Sequence, residues 1–500
     1  MWFARSTPVA CVAAMLGALW YWGTIPRQLA HFGDDQEYLS LTQSFVRHGS
    51  PEYRKGDSEA MLEALPRHWR RSLTQKFSPD GVPGAYFASR SGEYYAFHFF
   101  SYSAAVAPMR ALLDGRPDAA RAHQFTNLLL LSCALLSLLA LHGQPRVFWT
   151  IAPLAFFTPV LWFTTYANTE TFVFSLGLFA LVCFARQRTI PAILFNSIAA
   201  TQYQPLALLS LYLCADWLWT RRRDLRSQWR QAAAALASAA PVFAPGLFYF
   251  VHFGTPNLIA REGLVSTRYM GWDKFLDLFT DPNGGMLVYT PGVLLMLLVA
   301  AGWAVARARN DARGVLLLGC VLCTLLGSTV QRNWNHPTFG ASRYVVYAIA
   351  PALLFIAGEL HQRTPDPRRL AALVVVALCL SLLVHRADGF IVYRSNDSSE
   401  HSAAAKYVLE RWPWLYAPHP ETFCERTTRG CRPDPETGEP LPDALPAIWR
   451  DSGGKARKIL AARCDEAKLL SAAAWSEAER ARIHAAFERC SGAGVFYVNL

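Results

Sequence analysis

Two adjacent carboxylates occupy the stretch His31-Phe32-Gly33-Asp34-Asp35-Gln36-Glu37-Tyr38, just beyond an apolar run near the N-terminus. Acids this close to a membrane boundary are costly unless they are solvated or used. A carboxylate so placed can take the proton of an attacking group. Two neighbouring acids repel, so one would be kept protonated or oriented by a cation. A plainer use is also open: Asp34 or Asp35 could cap a helix running from Gln36 to Val46.

The elements that must position these residues are apolar. Of 500 residues, 52% are hydrophobic and 17% charged, which excludes an ordinary soluble protein and polar disorder. The apolar residues cluster in runs such as Leu128 to Leu141, Val147 to Phe163 and Leu370 to Val384, near the length that crosses a bilayer. A net charge of +11 would hint at nucleic acid in a soluble chain. Here the arginines stand in short clusters between apolar runs, so they read as topology signals; the partners are membrane lipids and not nucleic acid.

The sequence predicts about eleven spans, near 8–25, 121–141, 147–166, 170–185, 189–203, 205–219, 231–252, 286–305, 314–331, 343–360 and 370–385. With the N-terminus inside, every second loop is basic: Arg5, Arg146, Arg186 with Arg188, Arg221 to Arg230, Arg307 to Arg313, and Arg363 to Arg369. That parity holds if Tyr94 to Leu113 is interfacial or re-entrant, and if Thr189 to Trp219 is a hairpin turning at Gln202 to Pro205. No small-x-small cleavage site convincingly precedes Arg27, so the first run is kept as a span.

The fold expected is therefore an all-α polytopic membrane domain, 1–385, that includes an external loop 26–120. A small external α+β domain, 386–500, follows it. The tail holds Cys424, Cys431, Cys464 and Cys490, and an oxidising compartment permits disulfides there. Three pairings are possible; Cys424 with Cys431 and Cys464 with Cys490 is the favoured one, and unpaired thiols are the alternative. Zinc is disfavoured because no histidine or CxxC pair accompanies them. Neither GxxxxGK[ST] nor GxGxxG after a strand occurs, so neither ATP-driven transport nor a nucleotide-sugar fold is indicated.

The stretch from Gly33 to Tyr38, followed by the amphipathic Leu39 to Gly49, resembles the start of the first external loop of the GT-C membrane glycosyltransferases. These include protein O-mannosyltransferases and the aminoarabinose transferase of lipid A. Gly92-Glu-Tyr-Tyr-Ala-Phe-His98, running into Pro108 and Arg121, is similar to that family's second landmark. Tyr166 to Glu170, Asn283 to Pro291 and Phe339 to Tyr344 look like further segments of it, and the resemblance covers about residues 8–385.

The resemblance implies an inverting transfer of a sugar from a polyprenyl-phosphate donor to a glycan, lipid or protein acceptor on the external face, periplasmic if the membrane is a bacterial inner membrane. Asp34 is the expected general base, with Asp35 as substitute or partner. Arg343 is the leading phosphate ligand, through its planar fork, or else a boundary anchor; Arg268 and Lys274 stand in reserve. Glu170 would position the acceptor or an arginine, and His98 would support the site. Trp334, His336 and Tyr344 would shape a sugar pocket. No metal is required on this reading, Mg²⁺ or Mn²⁺ at the paired acids being the alternative. The competing classes are a lipid or glycan flippase, which would show pseudo-symmetric halves, and a non-catalytic assembly protein of the same fold.

Overall fold

The computed structural model describes every residue except 1, 26–33, 64, 66–69, 71–80, 117, 335–340, 364, 389–399, 429, 432–444, 463–464, 489 and 491–494. The chain forms two compact units. One holds 1–262, 290–328 and 346–393; the other holds 263–289, 329–345 and 394–500.

The first unit is mainly helical, and a two-stranded hairpin within 86–96 departs from the all-α domain expected. Among the described residues, four helices are long and apolar enough to cross a membrane: Ala119–Leu141, Trp229–Phe253, Arg343–Gln362 and Pro367–Ala387. Shorter apolar helices are Glu170–Ala185, Thr189–Ala200, Pro291–Arg307 and Arg313–Ser328. The helix Trp2–Thr24 precedes them. Apolar residues encircle Glu170–Ala185, which suits a helix enclosed by others. At Gly177 a β-carbon would come within 2.5 Å of the Ala350 Cβ, so a small residue is what lets these two helices approach.

Two of the apolar runs are broken into separate helices. The run 147–166 is not one helix but Pro145–Phe156 followed by the short Val160–Phe163. Phe157 has left helical backbone, with ψ 61°, and Pro159 cannot supply an amide hydrogen to continue the ladder. The run 286–305 is likewise broken into Met286–Tyr289 and Pro291–Arg307, with proline opening the second helix. The segment 189–219 turns back through Gln204–Leu206, and the Asn196 amide ties the turn by donating to the Leu206 carbonyl at 3.0 Å.

Beyond the first helix, Asp35–His48 forms an amphipathic helix that ends at Gly49, whose φ of +67° suits a residue without a β-carbon. A hairpin of strands β1 (Tyr86–Ala88) and β2 (Tyr94–Ala96) follows, pairing Tyr86 with Ala96. The helix Ser101–Leu112 then packs against Asp35–His48.

The second unit is built on an antiparallel sheet of β3 (Ala447–Arg450), β4 (Ala456–Ala462) and β5 (Val495–Asn499), in that order. Successive side chains alternate faces. Leu460 accordingly joins Leu409, Phe423 and Trp449 on one side, whereas Ile459 and Ala461 join Trp475, Ile483 and Phe487 on the other. The helix Glu477–Phe487 opens with a capping box of Ser476 and Glu479. Cys424 and Cys431 form a disulfide inside the first of these cores, their Cα atoms 5.5 Å apart. Cys490 is also disulfide-bonded; Cys464 lies outside the described residues.

Candidate functional site

Asp34 stands at the N-cap of the helix Asp35–His48 yet makes no side-chain capping hydrogen bond. The cap explanation therefore does not account for it. Asp35 is fully buried, and its Oδ1 accepts the Gln36 amide at 2.7 Å, a local use. Three residues past Asp34, on the same helical face, Glu37 is buried and reaches His98. Its Oε1 accepts the His98 main-chain N–H at 2.7 Å, and its Oε2 lies 2.7 Å from ring Nδ1. The other ring nitrogen, Nε2, is 3.9 Å from Asp34 Oδ2.

The hairpin delivers His98 to this place. β2 ends at Ala96, and Phe97 stays tied to the Ala85 carbonyl, so His98 leaves the sheet directly over the first turn of the helix. The Tyr38 ring stacks on the imidazole with centroids 5.5 Å apart, and Tyr86 donates to the Glu37 carbonyl oxygen at 3.3 Å. Burial pushes the Glu37 carboxyl up from its ordinary pKa, while the His98 contact pulls it back. Asp34 and His98 keep side-chain exposures of 22% and 20%, so a substrate could reach both while Glu37 stays covered.

The arrangement can move a proton. A carboxylate at Asp34 faces an imidazole whose ring is fixed by a buried acid, and with Glu37 ionised the Nδ1 proton sits between them. It could also hold a cation, because Asp34, Glu37 and His98 offer ligand atoms within 4.8 Å of one another. Two carboxylates and an imidazole suit Mn²⁺ better than Mg²⁺. Glu37 would then have to give up part of its grip on His98.

Glu170 is buried at the first position of Glu170–Ala185, near enough to Tyr102 to act electrostatically on its hydroxyl. Tyr102 donates to Asn127 Oδ1 at 3.1 Å and meets Tyr38 edge-on at 5.5 Å. A line of aromatic contacts thus leads from His98 towards Glu170.

The second unit holds the other expected residues. Lys274 donates to the Gln331 carbonyl at 2.8 Å, with its ammonium 5.3 Å from the centre of the Trp334 ring. Trp334 stacks on Tyr344 at 5.4 Å, and its amide donates to Glu421 at 2.9 Å. Burial lowers the Lys274 pKa, opposed by Glu421. Lys274, Trp334 and Tyr344 are therefore brought together. Arg343 is half-buried and opens its helix. Arg268 is exposed, packs on the Tyr269 ring and donates to the Tyr269 hydroxyl. His336 lies outside the described residues.

No family model and no curated protein sequence matches the chain. Among solved structures, it is similar to the archaeal oligosaccharyltransferase AglB from Archaeoglobus fulgidus, determined with an inhibitory peptide and a dolichol-phosphate. That likeness has 11% identity and a TM-score of 0.45, covering 83% of this chain and 59% of AglB. It is also similar to ArnT from Cupriavidus metallidurans in the apo state, at 16% identity and a TM-score of 0.41, covering 85% of this chain and 68% of ArnT. The chain thus spans less than two thirds of the length of AglB.

Glu37 and Glu421 were not singled out by residue type. The signal for Glu37 was its i, i+3 spacing from Asp34, which places both on one face of the first helical turn. Glu421 had no local signal, because its partner Trp334 is 87 residues away.

Proposed function

We propose that the chain is an integral-membrane glycosyltransferase of GT-C type. It moves a sugar, with inversion, from a polyprenyl-phosphate donor to an acceptor at the external face of the membrane. The observation that carries the reading is the partly exposed Asp34 carboxylate opposite a His98 imidazole held by buried Glu37. A proton acceptor is what an attacking hydroxyl needs, and an oriented imidazole beside it can share or relay that proton.

In this reading Asp34 takes the acceptor's proton as its oxygen attacks the anomeric carbon. The bond to the donor phosphate breaks, and the polyprenyl phosphate leaves with the bonding pair. Arg343 binds that phosphate, with Lys274 and Arg268 as further cations, while Trp334 and Tyr344 form the sugar-facing wall. No step is assigned to a metal. Three features support an external site: the basic-loop parity, the disulfide in the second unit and the position of Asp34 directly after the first apolar helix.

The test is transfer of labelled sugar from a polyprenyl-phosphate donor by the purified protein. Asp34→Asn should lower turnover by about 10² to 10⁴ with donor affinity little changed. Near-normal transfer by both Asp34→Asn and Asp35→Asn would end the catalytic reading.

A further inference from the structure

The ends of three helices in the first unit line an open cavity of about 540 Å³, outside the residues assigned to glycosyl transfer. Trp303 lines it from the helix Pro291–Arg307, Arg363 from just past Arg343–Gln362, and Asp366, Arg369, Leu370 and Leu373 from the start of Pro367–Asp388. These ends carry the basic loops assigned to the cytoplasmic side, opposite the face assigned to Asp34.

The cavity's charge is positive once local bonds are counted. Asp366 accepts the amides of Arg368 at 2.8 Å and Arg369 at 3.1 Å, so its carboxylate is committed to the start of the helix. Nearby Arg307 is paired with Glu359 at 2.8 Å. Arg363 and Arg369 set two guanidinium groups against the single capped carboxylate, and Arg363 lies over the Trp303 ring at 5.9 Å. A guanidinium fork matches the two free oxygens of a phosphodiester.

The rest of the wall separates a lipid from a free anion. Leu370 and Leu373 give the cavity an apolar side that inorganic phosphate has no use for. The same helices carry exposed Leu298, Val305, Val375 and Val376, the kind of surface that faces acyl chains. A tryptophan and arginines at the end of an apolar helix are also the usual furnishing of the headgroup layer. We infer that this cavity binds an anionic phospholipid of the cytoplasmic leaflet. The phosphodiester sits between Arg363 and Arg369, and the acyl chains run along Leu370 and Leu373.

The experiment uses the full chain purified in a neutral detergent and titrated with dioctanoyl phosphatidylglycerol, dioctanoyl phosphatidylcholine or inorganic phosphate. Bound lipid is counted by native mass spectrometry, and protection against heat is measured in parallel. Phosphatidylglycerol should bind at least about tenfold more tightly than phosphatidylcholine, and Arg363→Ala and Arg369→Ala should each weaken it by about fivefold. Arg222→Ala, in a different basic loop, should change nothing. Should an alanine variant fail to fold, Arg363→Lys keeps the charge and loses the fork, and it should still weaken binding. Equal binding of the two lipids, equal loss in Arg222→Ala, or displacement of phosphatidylglycerol by an equal concentration of inorganic phosphate would each overturn the inference.

Discussion

Glu37 holds His98 with both oxygens of one carboxylate, accepting its main-chain N–H and facing its ring Nδ1, each at 2.7 Å. The imidazole therefore cannot turn or change tautomer without cost, and Nε2 is kept towards Asp34. Glu37→Gln preserves the oxygen that takes the main-chain N–H but sets an amide NH₂ against Nδ1. The tautomer reverses, placing a proton on Nε2. Turnover should fall by about 10² to 10⁴, the range expected when an oriented imidazole is held in the wrong tautomer. The donor KM should stay nearly constant, which separates this role from a merely structural one. Steady-state kinetics of the folded variant check it.

Arg343 is assigned a different task, so its loss should read differently. A phosphate is charged both before and during transfer, and Arg343→Ala should raise the donor KM as well as lower kcat. Each effect should be about tenfold to a hundredfold, the worth of a hydrogen bond to a charged group. Arg343→Lys should recover part of the binding and less of the rate, because the charge remains and the fork does not. A normal donor KM in both variants would return Arg343 to the role of a boundary anchor.

The second unit should weaken in acid. Burial, followed by the Lys274 charge, lowers the His419 pKa to about 3. Between that value and its ordinary one, the unfolded chain binds the proton and the folded chain does not. Stability is then complete above the ordinary histidine pKa and is lost as pH falls towards 3. From pH 7 to pH 5 the loss due to His419 is about 2 kcal/mol. The raised carboxyl of Asp277, caused by burial and Asp281, acts with the opposite sign, since its contribution is lost as pH rises. Limited proteolysis of the tail against pH should show the acid loss, and His419→Gln should reduce it, leaving the share of His401, whose pKa burial also lowers to about 3.

Reduction should act on the same unit. The Cys424–Cys431 bond closes a sequence separation of 7 within a buried core. The chain-entropy model values a loop that short at about 2 to 3 kcal/mol. Reductant should make the tail more sensitive to protease, and Cys424→Ser should reproduce the effect. Arg450→Cys should also react with a membrane-impermeant maleimide from the external side. Labelling only after permeabilisation would reverse the assigned orientation.

The apolar runs announce most helices because a span needs little beyond length and hydrophobicity. They miss the breaks at Phe157 and Thr290, which depend on proline and local backbone inside otherwise apolar sequence. Asp34 and His98 could be named from motif-like stretches. Glu37 stood in the same stretch, but its role rests on a contact 61 residues away that no local pattern encodes. The acidic pair Asp277 and Asp281 carries no signal in its own stretch of sequence. Only the tertiary structure reveals the hydroxyl of Tyr416, 135 residues further on, donating to Asp281 at 2.5 Å.

The second unit is stitched from three separated stretches, and this dictates an order of manufacture. Asn283 donates to the Tyr416 hydroxyl at 2.5 Å, and the Trp334 amide to Glu421 at 2.9 Å. On the ribosome, Asn283 emerges first and must wait while four apolar helices, from Pro291–Arg307 to Pro367–Asp388, are made and inserted. At about 5 to 20 residues per second, the delay before Tyr416 exists is roughly 7 to 27 seconds. During that interval the early stretches lack their partners and are open to chaperones and proteases. A premature stop before residue 400 would therefore leave a chain with its apolar helices complete and its second unit unable to close, a natural target for membrane quality control.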